Sequence, residues 1–187
     1  QNGLYKRNQM KNLKIIFVGI LLIPLLSMTI GEIELESKSL LNNRVELKIP
    51  KTFVIMSEEL MKIKYPSDNR PTLIYSDESG EINLVINLTP ANANQDIIEP
   101  YLGNFVTMHK DVYPSAEWKD SGIKEINGQK VGYLKLIISE FDTKIYKVIF
   151  FTDLDGKLLH STFKCNEKSF SEWEQTADKI MNSLKIK

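Results

Sequence analysis

Few side chains in this chain carry chemistry of their own. His109 and His160 are its only histidines, and Cys165 is its sole cysteine. Protein metal sites usually draw on several N, S or O donors at short spacing. Neither a His-x-x-His nor a Cys-x-x-Cys pair occurs. His160 and Cys165 lie an odd number of positions apart on one expected strand, which puts them on opposite faces and argues against a shared zinc ion. Cys165 alternates with Phe163, Ser161 and Leu159. It reads as a small buried hydrophobe, since a nucleophilic thiol needs a neighbouring base and solvent access. His109 follows Met108 on an expected long helix and reads as a rim residue.

The carboxylates read in the same plain way. Asp153-Leu154-Asp155-Gly156 invites comparison with a calcium loop, but it lacks the further oxygen ligands and distal Glu of an EF-hand. A hairpin turn accounts for it, and for Asp77 to Gly80. Glu58/Glu59 and Glu172/Glu174 stand at expected helix starts, where negative charge offsets the helix dipole. Asn87-Leu88-Thr89 has the form of a glycosylation sequon but falls within an expected strand, with Pro90 directly after it. No nucleophile elbow, phosphate loop or dinucleotide fingerprint is present. The expectation is a protein that is not an enzyme, with no catalytic residue, cofactor or metal and with its partner-binding residues unassigned. A hydrolase whose site assembles from distant residues is the weaker alternative.

The elements that must position these residues begin after a basic-then-apolar opening. Lys11 and Lys14 precede an apolar run from Ile15 to Ile30, broken by Gly19 and Pro24. The run is shorter than the roughly 20 residues that span a bilayer. With small residues at Thr29 and Gly31, residues 10–31 read as an export signal cleaved after Gly31, or else as an uncleaved anchor. Residues 1–9 read as an upstream extension or expression remnant, residues 32–43 as a short linker, and residues 44–187 as one domain. The whole chain has 24 basic and 24 acidic residues; from Glu32 onward the balance is 20 against 24, a formal charge of −4. A weakly acidic body argues against nucleic acid as a partner. A lone cysteine excludes an internal disulfide, so stability must come from an ordinary core.

Val45, Leu47 and Ile49 alternate with Glu46 and Lys48 as a half-buried strand ended by Pro50. Phe53 to Met56 continues extended, and Ser57 can cap a short helix that stops before Tyr65-Pro66. Thr72 to Ser76 and Ile82 to Leu88 read as strands. Asp96 to Tyr113 reads as the main helix, with an Asp96/Glu99 capping box and an apolar stripe of Ile97, Tyr101, Phe105, Met108 and Val112. Gly122 to Ile126, Lys130 to Ser139, Ile145 to Thr152 and Lys157 to Cys165 form a meander, turned at Asn127-Gly128 and Asp155-Gly156. Its middle strands are apolar on both sides: Leu134, Leu136 and Ile138 against Val131, Tyr133 and Ile137, then Tyr146, Val148 and Phe150 against Ile145, Ile149 and Phe151. Such strands must be covered on both faces. A last helix opens at Ser171, with Glu174 completing a capping box, and buries Trp173, Ala177, Ile180 and Leu184. The fold class expected is α+β: a three-layer α/β/α sandwich around a central, mainly antiparallel sheet.

That order of elements, with Asp155-Gly156 opening the strand to Phe163-Lys164-Cys165 and Trp173 leading into Ile180 through Leu184, resembles the Mog1/PsbP-like superfamily. The likeness includes its bacterial exported PsbP-like and DcrB-like members and covers roughly residues 44–187. It implies the three-layer sandwich and a non-enzymatic role in binding, assembly or chaperoning, with no shared functional residues to carry over. Together with the leader, it implies an exported protein of the periplasm or cell envelope that binds another protein or a small ligand. Membrane contact would then run only through an uncleaved N-terminal segment. A cytosolic chaperone for secreted effectors is the alternative. The surface between sheet and helices, and the loop from Thr89 to Gln95, are the expected places for binding.

Overall fold

The computed structural model describes residues 32–67 and 70–187. The expectations for residues 1–9 and for the leader at 10–31 fall outside the described residues. No helix among the described residues is long and apolar enough to cross a membrane.

The centre is a seven-stranded antiparallel sheet in the order β3-β4-β5-β9-β8-β7-β6. Its strands are β3 (Val54–Ile55), β4 (Leu73–Ser76), β5 (Asn83–Asn92), β6 (Glu117–Ile126), β7 (Gln129–Glu140), β8 (Thr143–Leu154) and β9 (Lys157–Asn166). The two-sided apolar pattern of β7 and β8 is realised as read. Leu134, Leu136, Ile138, Ile149 and Phe151 pack on one face with Ile98 of helix α2 (Ile98–Val112). Val131, Tyr133, Tyr146, Val148 and Phe150 pack on the other with Trp173, Ala177 and Ile180 of helix α3 (Phe170–Asn182).

The α3 side has a second cover. A small sheet of β1 (Leu35–Leu40), β2 (Val45–Pro50) and β10 (Lys185–Ile186) lays Val45, Leu47 and Ile49 onto the same core. Residues 32–43 are therefore not a linker. Leu35 to Leu40 pairs antiparallel with Pro50 to Val45, through a turn in which Leu41, Asn42 and Asn43 all have positive φ. This strand has no clean apolar alternation, because its partly buried Glu36 and Lys38 pair with each other at 2.5 Å.

Local chemistry sets the ends of the elements. Ser57 caps α1 (Glu58–Lys64), its hydroxyl accepting from the Leu60 N–H at 3.2 Å. Asn127-Gly128 and Asp155-Gly156 hold the positive φ values that tight hairpins need. The two capping boxes are not formed. Asn94, not Asp96, accepts the N–H groups of Asp96 and Ile97 before α2. A 3-10 turn at Glu167–Ser169 leads into α3, placing Ser171 inside the helix. The α2 stripe is also rotated from the one read: Met108 and Val112 are exposed, while Ile98 and His109 face inward. β5 runs on through Pro90 to Asn92, accommodated by a register shift after Leu88.

Two contacts fasten the layers. Lys135 projects from the apolar run of β7 to Asp178 of α3, with Nζ 2.7 Å from Oδ2. Gly132 of β7 lies directly across from Phe151, and a Cβ there would sit 2.4 Å from the ring. Gly132→Ala is expected to destabilise the domain by about 1–3 kcal/mol through overpacking. Chemical denaturation of the variant and the parent measures this, and an unchanged midpoint would contradict the packing described.

Candidate binding face

The two histidines, read from sequence as unrelated, meet on the α2 side of the sheet. His109 is not a rim residue: only 9% of it is exposed, and its Nδ1 lies 2.9 Å from the Phe105 carbonyl oxygen. His160 of β9 stands across from Phe151 and Asn87. The Phe105 ring lies between them, 4.2 Å from the His109 ring and 5.4 Å from that of His160, while Phe151 runs nearly parallel to His160 at 6.3 Å. Burial pushes the His109 imidazole below its usual range despite its backbone hydrogen bond. Burial, reinforced by His109, pushes His160 down to about 4. Both rings are therefore neutral members of an aromatic cluster at pH 7. Neither is hydrogen-bonded to a carboxylate among the described residues.

The other candidate residues stay apart. Cys165 faces the α3 side, opposite His160 as the strand parity requires, and burial pushes its thiol up to about 12. A thiol held protonated in this way is a poor nucleophile. Asp153 accepts from the Gln95 side chain, while Asp155 accepts from Arg44 at 2.7 Å across the hairpin. Asn87 accepts from the Thr72 hydroxyl within the sheet. Glu58 and Glu59 occupy the first turn of α1 and Glu172 the first turn of α3. The Thr89–Gln95 segment is tied down, with Lys157 Nζ donating to the Pro90 carbonyl and to Asn92 Oδ1. Among the described residues no group of three or more His, Cys, Asp or Glu side chains is placed to hold a metal ion.

Two concave regions and one pair of facing lysines remain. The larger concavity, about 960 Å³, opens over the outer side of the small sheet and the end of α3. Two pairs of its charges meet: Lys51 with Glu34 at 2.6 Å, and Lys179 with Glu32. Those lysines hold both carboxyls below the usual carboxylate range. The smaller, about 420 Å³, lies beside the exposed edge residues Val54 and Ile55. The two lysines lie beside the C-terminal ends of α1 and α2. Each helix ends in a Tyr-Pro pair, and the capping tyrosines Tyr65 and Tyr113 stand over Lys164 of β9 and Lys147 of β8. No sequence motif marked these four residues. The available signals were the repeated Tyr-Pro helix ends and the two lysines that interrupt apolar strand faces.

No family model matches the sequence, and no curated protein does. Solved structures do match. The cyanobacterial PsbP (CyanoP) of Synechocystis sp. PCC 6803 superposes with a TM-score of 0.58 at 14% identity, over 85% of this chain and 96% of that one. This chain has the Mog1/PsbP-like fold. Two further members have it as well. The Ran-binding protein Mog1p of Saccharomyces cerevisiae matches with a TM-score of 0.50 at 6% identity, over 83% of this chain and 96% of that one. LpqN, involved in cell envelope biogenesis of Mycobacterium tuberculosis, matches with a TM-score of 0.50 at 10% identity, over 82% and 91%. The Mog1/PsbP-like fold thus accounts for the covered sheet and its helices.

The histidine cluster gives the domain a pH dependence of definite sign. His160 in the folded state titrates near 4, against 6.5 for an ordinary imidazole, so between these values the unfolded chain binds a proton that the folded chain does not. The His160 contribution to stability is expected to be lost as pH drops from about 7 to 4, on the order of 3 kcal/mol, and to change no further below that. Burial of His109 adds a change of the same sign. Thermal melts across this range are expected to show the slope in the parent and a flatter one in His160→Phe. Parallel slopes would contradict the burial of the ring.

Proposed function

We propose that this chain is an exported, non-catalytic binding or assembly-accessory protein of the cell envelope, holding another protein or a small ligand. The observation that carries this reading is the fold shared with CyanoP over 85% of the chain. LpqN, with the same fold, is involved in envelope biogenesis, and Mog1p binds Ran, so the fold serves accessory and binding roles in its relatives. The basic-then-apolar opening at residues 10–31 supports export. The chemistry-bearing side chains support a non-catalytic role: the thiol is protonated and enclosed, the imidazoles are packed among phenyl rings, and Asp153 and Asp155 are engaged in structural hydrogen bonds.

Intact mass and cell fractionation of the expressed full chain test the reading. The expected product begins at Glu32 and is recovered from the periplasmic or envelope fraction. An unprocessed product in the cytosol would overturn export and favour the effector-chaperone alternative.

A further inference from the structure

An open sheet edge is a template for another strand, and proteins blunt it with charge, bulges, proline or a cover. One edge of the large sheet is blunted in this way: β6 carries Glu117, Lys119, Asp120, Lys124 and Glu125, and its register shifts after Trp118. In the small sheet, β1 carries the Glu36–Lys38 pair. The other edge of the large sheet is β3, which is Val54 and Ile55 alone. It bears no charge, and both residues are exposed, at 59% and 58%. Val54 pairs with Ser76 and Ile55 with Tyr75, and the Met56 N–H donates to the Ile74 carbonyl at 2.8 Å. Alternate residues bond across an antiparallel ladder, so the N–H and C=O of Ile55 point to the open side.

The concavity of about 420 Å³ lies against this edge. Val54, Ile55, Met56 and Leu60 give it apolar walls, and Asp77 and Glu78 give it charge. Its lining holds these two carboxylates and no basic residue, whereas the larger concavity is lined by charges of both signs. Asp77 accepts from the Ser79 hydroxyl and the Ile82 N–H, and Glu78 makes no ion pair with a described residue. Glu58 and Glu59, directly after Ser57 of the lining, make none either. Lys64 lies against Gly80 at the end of the same turn but is not paired with Asp77 or Glu78.

We propose that β3 and the concavity beside it take up a short extended segment of a partner protein, apolar and flanked by lysine or arginine. The segment adds a strand to the sheet, its backbone meeting the outward N–H and C=O of Ile55. One apolar side chain enters the concavity against Met56 and Leu60, and the flanking cation faces Glu78. Charge complementarity selects this occupant, because the lining offers carboxylates alone. β3 is only two residues long, so the ladder is brief and the seated side chain and the charge must supply the rest. The inference rests on the accessory-protein reading above and names the chemistry of its partner.

The test is fluorescence anisotropy with the full chain and a labelled peptide of valine, isoleucine and threonine flanked by lysines. Saturable binding is expected, weakened roughly tenfold in Ile55→Pro, which removes the outward N–H and spares the β3–β4 ladder. Its melting temperature is expected to stay close to the parent's. Glu78→Lys, an exposed change that reads the charge independently, is expected to weaken binding roughly threefold. A glutamate-flanked peptide is expected to bind the parent more weakly than the lysine-flanked one. Absence of saturable binding to the parent overturns the proposal, as does unchanged affinity in either folded variant or tighter binding of the glutamate-flanked peptide. A parent dimer in light scattering that Ile55→Pro dissolves also overturns it, since a second copy then occupies the edge. Pull-downs from envelope extract separate the two readings: equal capture by parent and Ile55→Pro removes the edge but keeps the accessory role. Capture by neither removes the accessory role, and the peptide titration still decides the edge.

Discussion

Everything in this domain follows from two adjacent strands that are apolar on both sides. Leu134, Leu136, Ile149 and Phe151 cannot be left in water, and neither can Tyr146, Val148 and Phe150 behind them. A sheet built around β7 and β8 is obliged to sit in the middle, and the remaining chain becomes its covers. One cover is a single helix. The other is shared between α3 and a small three-stranded sheet, whose β2 carries Val45, Leu47 and Ile49 into the same core. The Lys135–Asp178 pair shows how strong the demand is. A lysine placed among those apolar residues is kept only because α3 supplies its counter-charge directly overhead.

Much of this was legible in the sequence wherever the signal was local. Period-two runs, Asn-Gly and Asp-Gly turns, and the prolines after α1 and α2 mark the meander and the ends of those two helices. The failures have physical causes. β1 was invisible because its Glu36 and Lys38 satisfy each other instead of alternating with apolar residues. The face of α2 was misjudged by one residue, since a helix turns 3.6 residues per cycle and His109, polar in the count, is the one that continues the line from Ile98 and Phe105. A buried imidazole enclosed by phenyl rings behaves as another aromatic, and no residue scale reveals that in advance.

The candidate face was less legible than the fold, for a different reason. His109 and His160 lie on elements far apart in sequence, and only the packing of α2 across β8 and β9 places Phe105 between them. The same holds for the Tyr65 and Tyr113 caps above Lys164 and Lys147. Individually each of these residues has an ordinary explanation. Their significance lies in what stands opposite them, which is a property of register and crossover, not of composition. Sequence patterning therefore recovers layers well and recovers surfaces poorly, because a surface is assembled from residues that obey no shared period.

The enclosed position of Cys165 carries a consequence for the oxidation chemistry of the chain. With one thiol per chain, no bridge can close within the molecule, and every oxidative accident must join two molecules or cap one. Folding hides that sulfur beneath α3 and keeps it protonated, so the native chain is chemically quiet. The hazard belongs to the interval before α3 docks. The final helix is therefore also the seal that closes the window for unwanted cross-linking, and the sulfur beneath it doubles as a natural reporter of whether that seal is open.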